Sequence, residues 1–327
     1  MKRGIVLGKF LPPHAGHVYL IEVARRLCDS LTVVVDRLAD ETIPGELRRA
    51  WLAELFPDVR VVRLADENPQ DPREHPDFWA IWRTSLIAAL GFAPDVVFAS
   101  EAYGAKLAEV LGAELVPVDP RREAHAISGT EVRADPWRHW DALPRVVRPW
   151  FLRRVSIFGP ESTGKTTLAR ALAERHGTRW VPEIARAILE AKEGACTPAE
   201  LGLIARAQAA SEDALAFDAR RLLFCDTDPL ATAVWSEALF GACPEEVRAP
   251  ARGRGYALTL LLDVDVPWVA DPVRYLPEAR RSFFDACARA LEAEGRRVAV
   301  IRGGFEKRFA AACAAIDTLV EETGWTP

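Results

Sequence analysis

The sequence predicts an α/β protein of two consecutive parallel-sheet domains. Three observations carry that prediction. Short apolar, valine-rich runs alternate with stretches of helical periodicity along most of the chain. The alternation fades across 137–154, a stretch holding Pro144, Pro149 and several arginines, and then restarts. The 327 residues also exceed the ~150 of a typical domain about twofold. The junction is therefore placed so that domain one covers 1–150 and domain two 151–327.

The elements follow in order. The apolar run 4–7 ends at Gly8 and reads as a buried strand. Helical spacing follows over 17–27, and a β-branched run over 31–35. The cycle repeats as helix 46–56, strand 59–64, helix 78–90, strand 95–99 and helix 105–111. In the second half, strand 155–158 leads into helix 165–175 and a short strand at 179–181. A long helix is expected over 198–220, with strands at 222–225 and 258–264. Helix 280–294, strand 297–301 and helix 305–322 close the chain.

Composition narrows the function classes. Half of the residues are hydrophobic and 27% are charged, as in a folded globular protein. The net charge of −5 argues against sequence-independent binding to DNA. No apolar run approaches the ~20 residues of a membrane span, and the run 4–7 is too short for a signal-peptide core. The six cysteines form no CxxC pair and read as free thiols in a reducing cytoplasm. Small molecules are the expected partners, and a homo-oligomer is compatible with the sequence.

Two constellations carry chemistry. The first strand runs into Gly8-Lys9-Phe10-Leu11-Pro12-Pro13-His14-Ala15-Gly16-His17. Ligands of open α/β sheets bind at the C-terminal ends of strands. Two histidines three residues apart share one helical face, at a helix start whose free amides suit phosphate. Imidazoles there can donate to phosphate oxygens as charge builds during transfer. A second segment, Ile127-Ser128-Gly129-Thr130-Glu131-Val132-Arg133, has the form of a capped helix start with an arginine one turn in. Ser128 and Arg133 suit a diphosphate, and an ordinary N-cap is the competing reading.

Together these segments resemble the HxGH nucleotidylyltransferase superfamily, in a Rossmann-like domain. Gly8, Phe10, Pro12, His14, Gly16 and His17 match its first motif. Ile127, Ser128, Thr130 and Arg133 match its second. The resemblance implies that His14 and His17 act at the α-phosphate of ATP. It also implies that Ser128, Thr130 and Arg133 hold the leaving pyrophosphate, with Lys9 neutralising triphosphate charge. Between the motifs, 44–49 and 78–82 look like the nicotinamide mononucleotide adenylyltransferases of archaeal and NadR type. Trp79 matches their nicotinamide-stacking tryptophan, with helix-face packing as the alternative for Trp79 and Trp82. Arg48 is expected on phosphate, and 100–104 matches a loop contacting the adenylate.

The second constellation is Gly159-Pro160-Glu161-Ser162-Thr163-Gly164-Lys165-Thr166, followed by Thr167. It fits G-x-x-x-x-G-K-[ST] between a strand and a helix, the context a phosphate-cradling loop needs. Its amides bind phosphates, Lys165 reaches the β,γ-phosphates and Thr166 ligates Mg²⁺. Three features favour a kinase. Glu183 follows the second strand as a candidate base, with Arg186 as a substrate clamp. Asp226 ends an apolar strand and suits Mg²⁺, while Asp228 suits the riboside or a helix cap. Arg274 and Arg280 follow a strand and suit a lid over the phosphates.

The neighbourhoods of Glu183, 226–228 and 268–274 look like the ribosylnicotinamide kinase domain of NadR-type proteins, and the domain order is theirs. The resemblance implies two ATP-dependent reactions: nicotinamide riboside to nicotinamide mononucleotide in domain two, then mononucleotide to NAD and pyrophosphate in domain one. The first strand begins near Gly4, so the helix-turn-helix that some of these proteins carry is not expected. A fusion acting on another nucleoside and a nucleotide-sensing regulator remain as alternatives.

Overall fold

A computed structural model describes residues 2–271 and 274–322. Two compact units divide the chain, Met1–Val147 and Arg148–Pro327. In the first, the order is β1 (Arg3–Gly8), α1 (Ala15–Ala24), β2 (Ser30–Val35), α2 (Gly45–Leu55), β3 (Arg60–Arg63) and α3 (Phe78–Leu90). There follow β4 (Val96–Ala99), α4 (Tyr103–Leu111), β5 (Glu114–Pro117) and α5 (Gly129–Ala134). All strand pairs are parallel, in the order β3-β2-β1-β4-β5. Ile5 and Val6 of the central β1 are fully buried on opposite faces, each in its own core cluster. Such two-sided burial is why β1 reads as a continuous apolar run.

The second unit runs α6 (Arg148–Phe151), β6 (Arg153–Phe158), α7 (Lys165–Arg175), β7 (Arg179–Val181), α8 (Ile184–Glu190) and α9 (Pro198–Ala216). It continues with β8 (Leu222–Asp226), α10 (Pro229–Phe240), α11 (Glu245–Arg248), β9 (Leu258–Leu262), α12 (Arg280–Ala293), β10 (Val298–Ile301) and α13 (Phe305–Glu322). Its sheet is also parallel, ordered β10-β9-β6-β8-β7. The α/β class and the two-sheet organisation agree with the sequence. No helix among the described residues is long and apolar enough to cross a membrane.

Four differences from the expected elements have physical reasons. β5 is a four-residue edge strand between Gly112 and Pro117, too short and too polar for a clear pattern. α10 buries residues around most of its circumference, so no polar face marks its period. α8 is a seven-residue helix and offers too short a window. α9 stops at Ala216, before the expected 220, because the chain turns at Arg221 (φ 64°) to enter β8.

Gly159 shows how the sheet sets the phosphate loop. It leaves β6 at φ 132°, and a Cβ there would lie 2.7 Å from Leu262 O on β9. Gly159→Ala should therefore cost the second unit ~1–3 kcal/mol. Denaturant unfolding checks this, and an unchanged midpoint would contradict the steric reading.

Candidate functional site

Each sheet opens a cleft where its chain reverses direction of travel. β1 lies between β2 and β4, so the loops after β1 and β4 part there, the place ligands occupy in open α/β sheets. The first cleft has a volume of about 510 Å³. Gly8, Lys9, Phe10, His14 and His17 line it from β1 and α1, and Ser128, Thr130 and Arg133 from α5. Trp79 lines it from α3.

The local geometry follows from the chain's exit from β1. Phe10, at φ 47°, turns its ring inward against His17, 4.9 Å between centroids. His14 stands in extended conformation as the N-cap of α1, and its carbonyl accepts from Val18 N at 3.0 Å. The two imidazoles lie 3.8 Å apart, centroid to centroid. A Cβ on Gly16 would come within 3.2 Å of the His14 ring, so a side chain here would crowd the pair. Both Nδ1 atoms are buried without a hydrogen-bond partner. Burial, then the charges of Arg122 and His125, pull His14 down to about 4. Burial and the neighbouring His14 push His17 down as well. The pair is therefore neutral near pH 7.

The second motif forms a reciprocal cap. Ser128 Oγ accepts from Glu131 N at 3.2 Å and donates to Glu131 Oε2 at 2.7 Å. Glu131 also accepts from Ser128 N, completing a capping box. Arg133 donates to Leu11 O and to Thr130 Oγ1 (3.1 Å), fastening α5 to the first motif across 122 positions of sequence. Sequence reasoning missed Asp36, Gln70, Arg122 and His125, which also line this cleft. The charged run 121–125 just ahead of the second motif was a usable signal for the last two.

The structure corrects one expectation here. Arg48 does not line the cleft and is fully buried. Its guanidinium donates to Glu41 Oε1 (2.7 Å), Ile43 O (3.1 Å), Asp36 O (3.2 Å) and Lys9 O. With its donors committed to the loops after β1 and β2, it braces them and does not face a phosphate. Trp82 follows the packing alternative: it is buried, and its Nε1 donates to Pro69 O at 2.8 Å. Trp79 is half-buried, edge-on to Phe78 at 5.0 Å, with part of its ring facing the cleft.

The second cleft, about 180 Å³, lies at the C-terminal ends of β6–β8. Glu161, Ser162, Thr163, Gly164, Lys165, Thr166 and Thr167 line it with Glu183, Arg186 and Arg274. Thr163 Oγ1 and Lys165 Nζ both donate to Pro160 O, at 2.8 and 3.0 Å. Thr166 Oγ1 donates to Asp226 Oδ2 at 2.5 Å, and Asp226 Oδ1 is buried without a partner. Burial, then the Glu183 carboxylate, lift Asp226 to about 6 against the pull of Lys165. Glu161 accepts from Tyr275 N (3.0 Å) and Leu276 N (3.3 Å), tying the phosphate loop to 274–276. Arg186 pairs with Asp271 (3.0 Å) and Glu190 (3.2 Å). Arg274 is 5.8 Å from the Trp268 ring centroid. Pro272 and Val273 of that segment lie outside the described residues.

Four of the expected site residues do not line this cleft, and one of them, the fully buried Asp226, meets it through Thr166. Asp228 is fully buried and does not line it. Asp228 caps α10 through Leu230 N (2.8 Å) and Ala231 N (3.4 Å), and it faces Arg296 at 3.4 Å. Arg280 also stands outside, donating to Ser162 O (3.1 Å) and Val266 O (3.0 Å) from behind the loop. Gly159 is spacing at the strand exit and does not line the cleft. Two residues were missed. Gln208 of α9 accepts from Ile184 N at 3.0 Å beside Glu183. Arg308 of α13 donates to Thr163 O (3.2 Å) and Asp263 O (2.8 Å). Neither lies in a recognisable motif.

Fold and phosphate loop together define an α/β nucleotide-binding protein of two units, each with its own cleft. Residues 154–308 match the family model of an AAA domain. The trifunctional NAD biosynthesis/regulator protein NadR of Escherichia coli (strain K12) is 33% identical over 313 residues, covering 88% of this chain and 76% of that protein. Two crystal structures of a NadR protein, one in complex with NR and one with NAD and AMP-PNP, share the fold. Each superposes with a TM-score of 0.79 at 24% identity, covering 100% of this chain and 97% of the other. The chain belongs to the NadR family.

The depressed His14 has a stability consequence. Its folded pKa lies below the ~6.5 of an unfolded histidine, so between about pH 4 and pH 6.5 the unfolded chain holds the extra proton. Stability therefore falls as pH falls through that window. His14→Asn should flatten the first unit's acid-side decline, by ~2 kcal/mol, in melting curves compared at pH 7 and pH 5. Equal declines in both proteins would contradict the burial of the imidazole.

Proposed function

We propose that the chain performs two consecutive ATP-dependent transfers. The second unit phosphorylates nicotinamide riboside to nicotinamide mononucleotide. The first adenylylates the mononucleotide to NAD. The observation that carries this reading is the pairing, in one NadR-family chain, of an imidazole-pair cleft with a phosphate-loop cleft.

In the second unit, the riboside 5′-oxygen bonds to the γ-phosphorus of ATP as the β,γ-bridging oxygen leaves with ADP. Glu183 takes the hydroxyl proton. Lys165 and the loop amides hold the phosphates, with Arg186 and Arg274 also lining the cleft. Thr166 and the orphaned oxygen of Asp226 would hold Mg²⁺. When bound, Mg²⁺ neutralises charge on the transferring group.

In the first unit, a 5′-phosphate oxygen of the mononucleotide bonds to the α-phosphorus of ATP, and pyrophosphate leaves. His14 and His17 donate to the crowded phosphoryl oxygens as neutral imidazoles. Lys9 and Arg133 carry the positive charge that faces the triphosphate. Trp79 offers a π-face to the cationic pyridinium, worth about 0.5–2 kcal/mol. The six free cysteines fit a reducing cytoplasm.

Product chromatography with Mg-ATP and nicotinamide riboside tests the sequence of steps. Mononucleotide should rise and then convert to NAD. Lys165→Ala should abolish riboside phosphorylation by 100-fold or more on the scale of lost transition-state contacts, while supplied mononucleotide still becomes NAD. Accumulation of mononucleotide without NAD would refute the assignment of the first unit. Trp79→Ala should raise KM for mononucleotide about tenfold and leave KM for ATP nearly unchanged. Equal effects on both would show that Trp79 does not read the acceptor.

A further inference from the structure

The first cleft is lined by charge of both signs, Lys9, Arg122 and Arg133 with Asp36, Glu101 and Asp119. Arg122, His125 and Arg133 line it from the β5–α5 side, where the second motif lies. On the β2–β3 side stands Asp36, the first residue beyond β2, whose backbone N–H donates to Gly8 O at 3.0 Å. It is 3% exposed. Among the described residues, it is the carboxylate of this cleft that keeps a buried oxygen, Oδ1, without a hydrogen-bond partner.

The other cleft carboxylates are occupied. Asp119 accepts the backbone N–H groups of Glu123 (2.7 Å) and Ala124 (3.1 Å). Glu101 pairs with Arg122 at 3.4 Å. Gln70 lines the cleft with Asp36, its Nε2 donating to Asn68 O at 3.0 Å. The Gln70 loop is fixed to α3, where Trp82 Nε1 donates to Pro69 O (2.8 Å) and Ser85 Oγ to Asn68 Oδ1 (2.9 Å). Asp36, Gln70 and Trp79 thus line the same cleft.

A buried carboxylate with an idle oxygen is costly unless a donor or cation meets it. ATP brings neither in its polyphosphate, which Lys9, Arg122 and Arg133 suit. A pyridinium carboxamide brings both a ring cation and an amide N–H pair. We infer that Asp36 is the specificity-determining acceptor for the pyridine carboxamide. In that role it selects amide-bearing mononucleotides over those bearing a ring carboxylate. The inference rests on the adenylyltransferase reading of this unit. A ring carboxylate has no proton to donate to Oδ1 and sets like charge against like in a buried site, so it is rejected actively. Burial lifts the Asp36 carboxyl to about 6, against the opposing pull of Gln70, Lys9 and Arg48. A pyridinium would favour the ionised form.

The test is the ratio of kcat/KM for nicotinamide mononucleotide over nicotinic acid mononucleotide, in full-length wild type and Asp36→Asn at saturating Mg-ATP. Asparagine keeps the shape, removes the charge and can donate to a carboxylate. The ratio should fall tenfold or more, mainly through KM for the two nucleotides, with KM for ATP within about twofold. Asp36→Ser, which leaves room for water, should lower the ratio in the same direction, and melting curves confirm that both variants are folded. If folded variants keep the wild-type ratio, the assignment of Asp36 is wrong while the adenylyltransferase reading stands. If wild type forms dinucleotide from neither nucleotide, that reading falls and the assignment falls with it.

Discussion

Both units depend on one topological constraint. A parallel sheet requires every strand to return by a crossover, and a central strand with neighbours added on both sides forces two crossovers apart. β1 and β6 are those central strands. The loop that follows each is therefore exposed at a crevice, with a helix N-terminus behind it. The paired imidazoles and the phosphate loop are two chemical answers to the same backbone situation. In both, the free amides of a helix start suit an anion, and different side chains stand around them.

Residues whose identity is dictated by backbone geometry or by a recurring motif were legible from the chain alone. Gly159, Lys165 and the histidine pair stand at fixed offsets within short continuous segments. The strands buried on both faces were equally plain, because nothing polar interrupts them. What escaped was set by long-range packing. β5 is stabilised by its pairing with β4 and not by its own four residues. Gln208 matters because α9 passes the start of α8, which no local pattern announces. Asp36 resembles any acid after a strand until its surroundings are known.

The corrected expectations share one cause. Arg48, Arg280 and Asp228 are charged residues close in sequence to site motifs, and each serves the backbone instead of a ligand. Their donors and acceptors meet carbonyls and amides that the loops leave unpaired. A loop held open for a ligand sacrifices its own internal hydrogen bonds, and a buried polar group must replace them. Charged residues near a motif thus divide into those that face the ligand and those that brace the loop from behind. Sequence proximity alone does not separate the two.

Arg280 and Arg308 reach Ser162 O and Thr163 O from α12 and α13, so the two last long helices of the chain grip the back of its phosphate loop. The loop's shape is then settled when the unit folds, before any nucleotide arrives. Binding need not supply the entropy of ordering it, and more of the contact energy is left for holding the triphosphate. The same grip makes nucleotide affinity an indicator of whether the C-terminal helices are docked: loosening either one would be felt at the phosphates without altering a single residue that touches them.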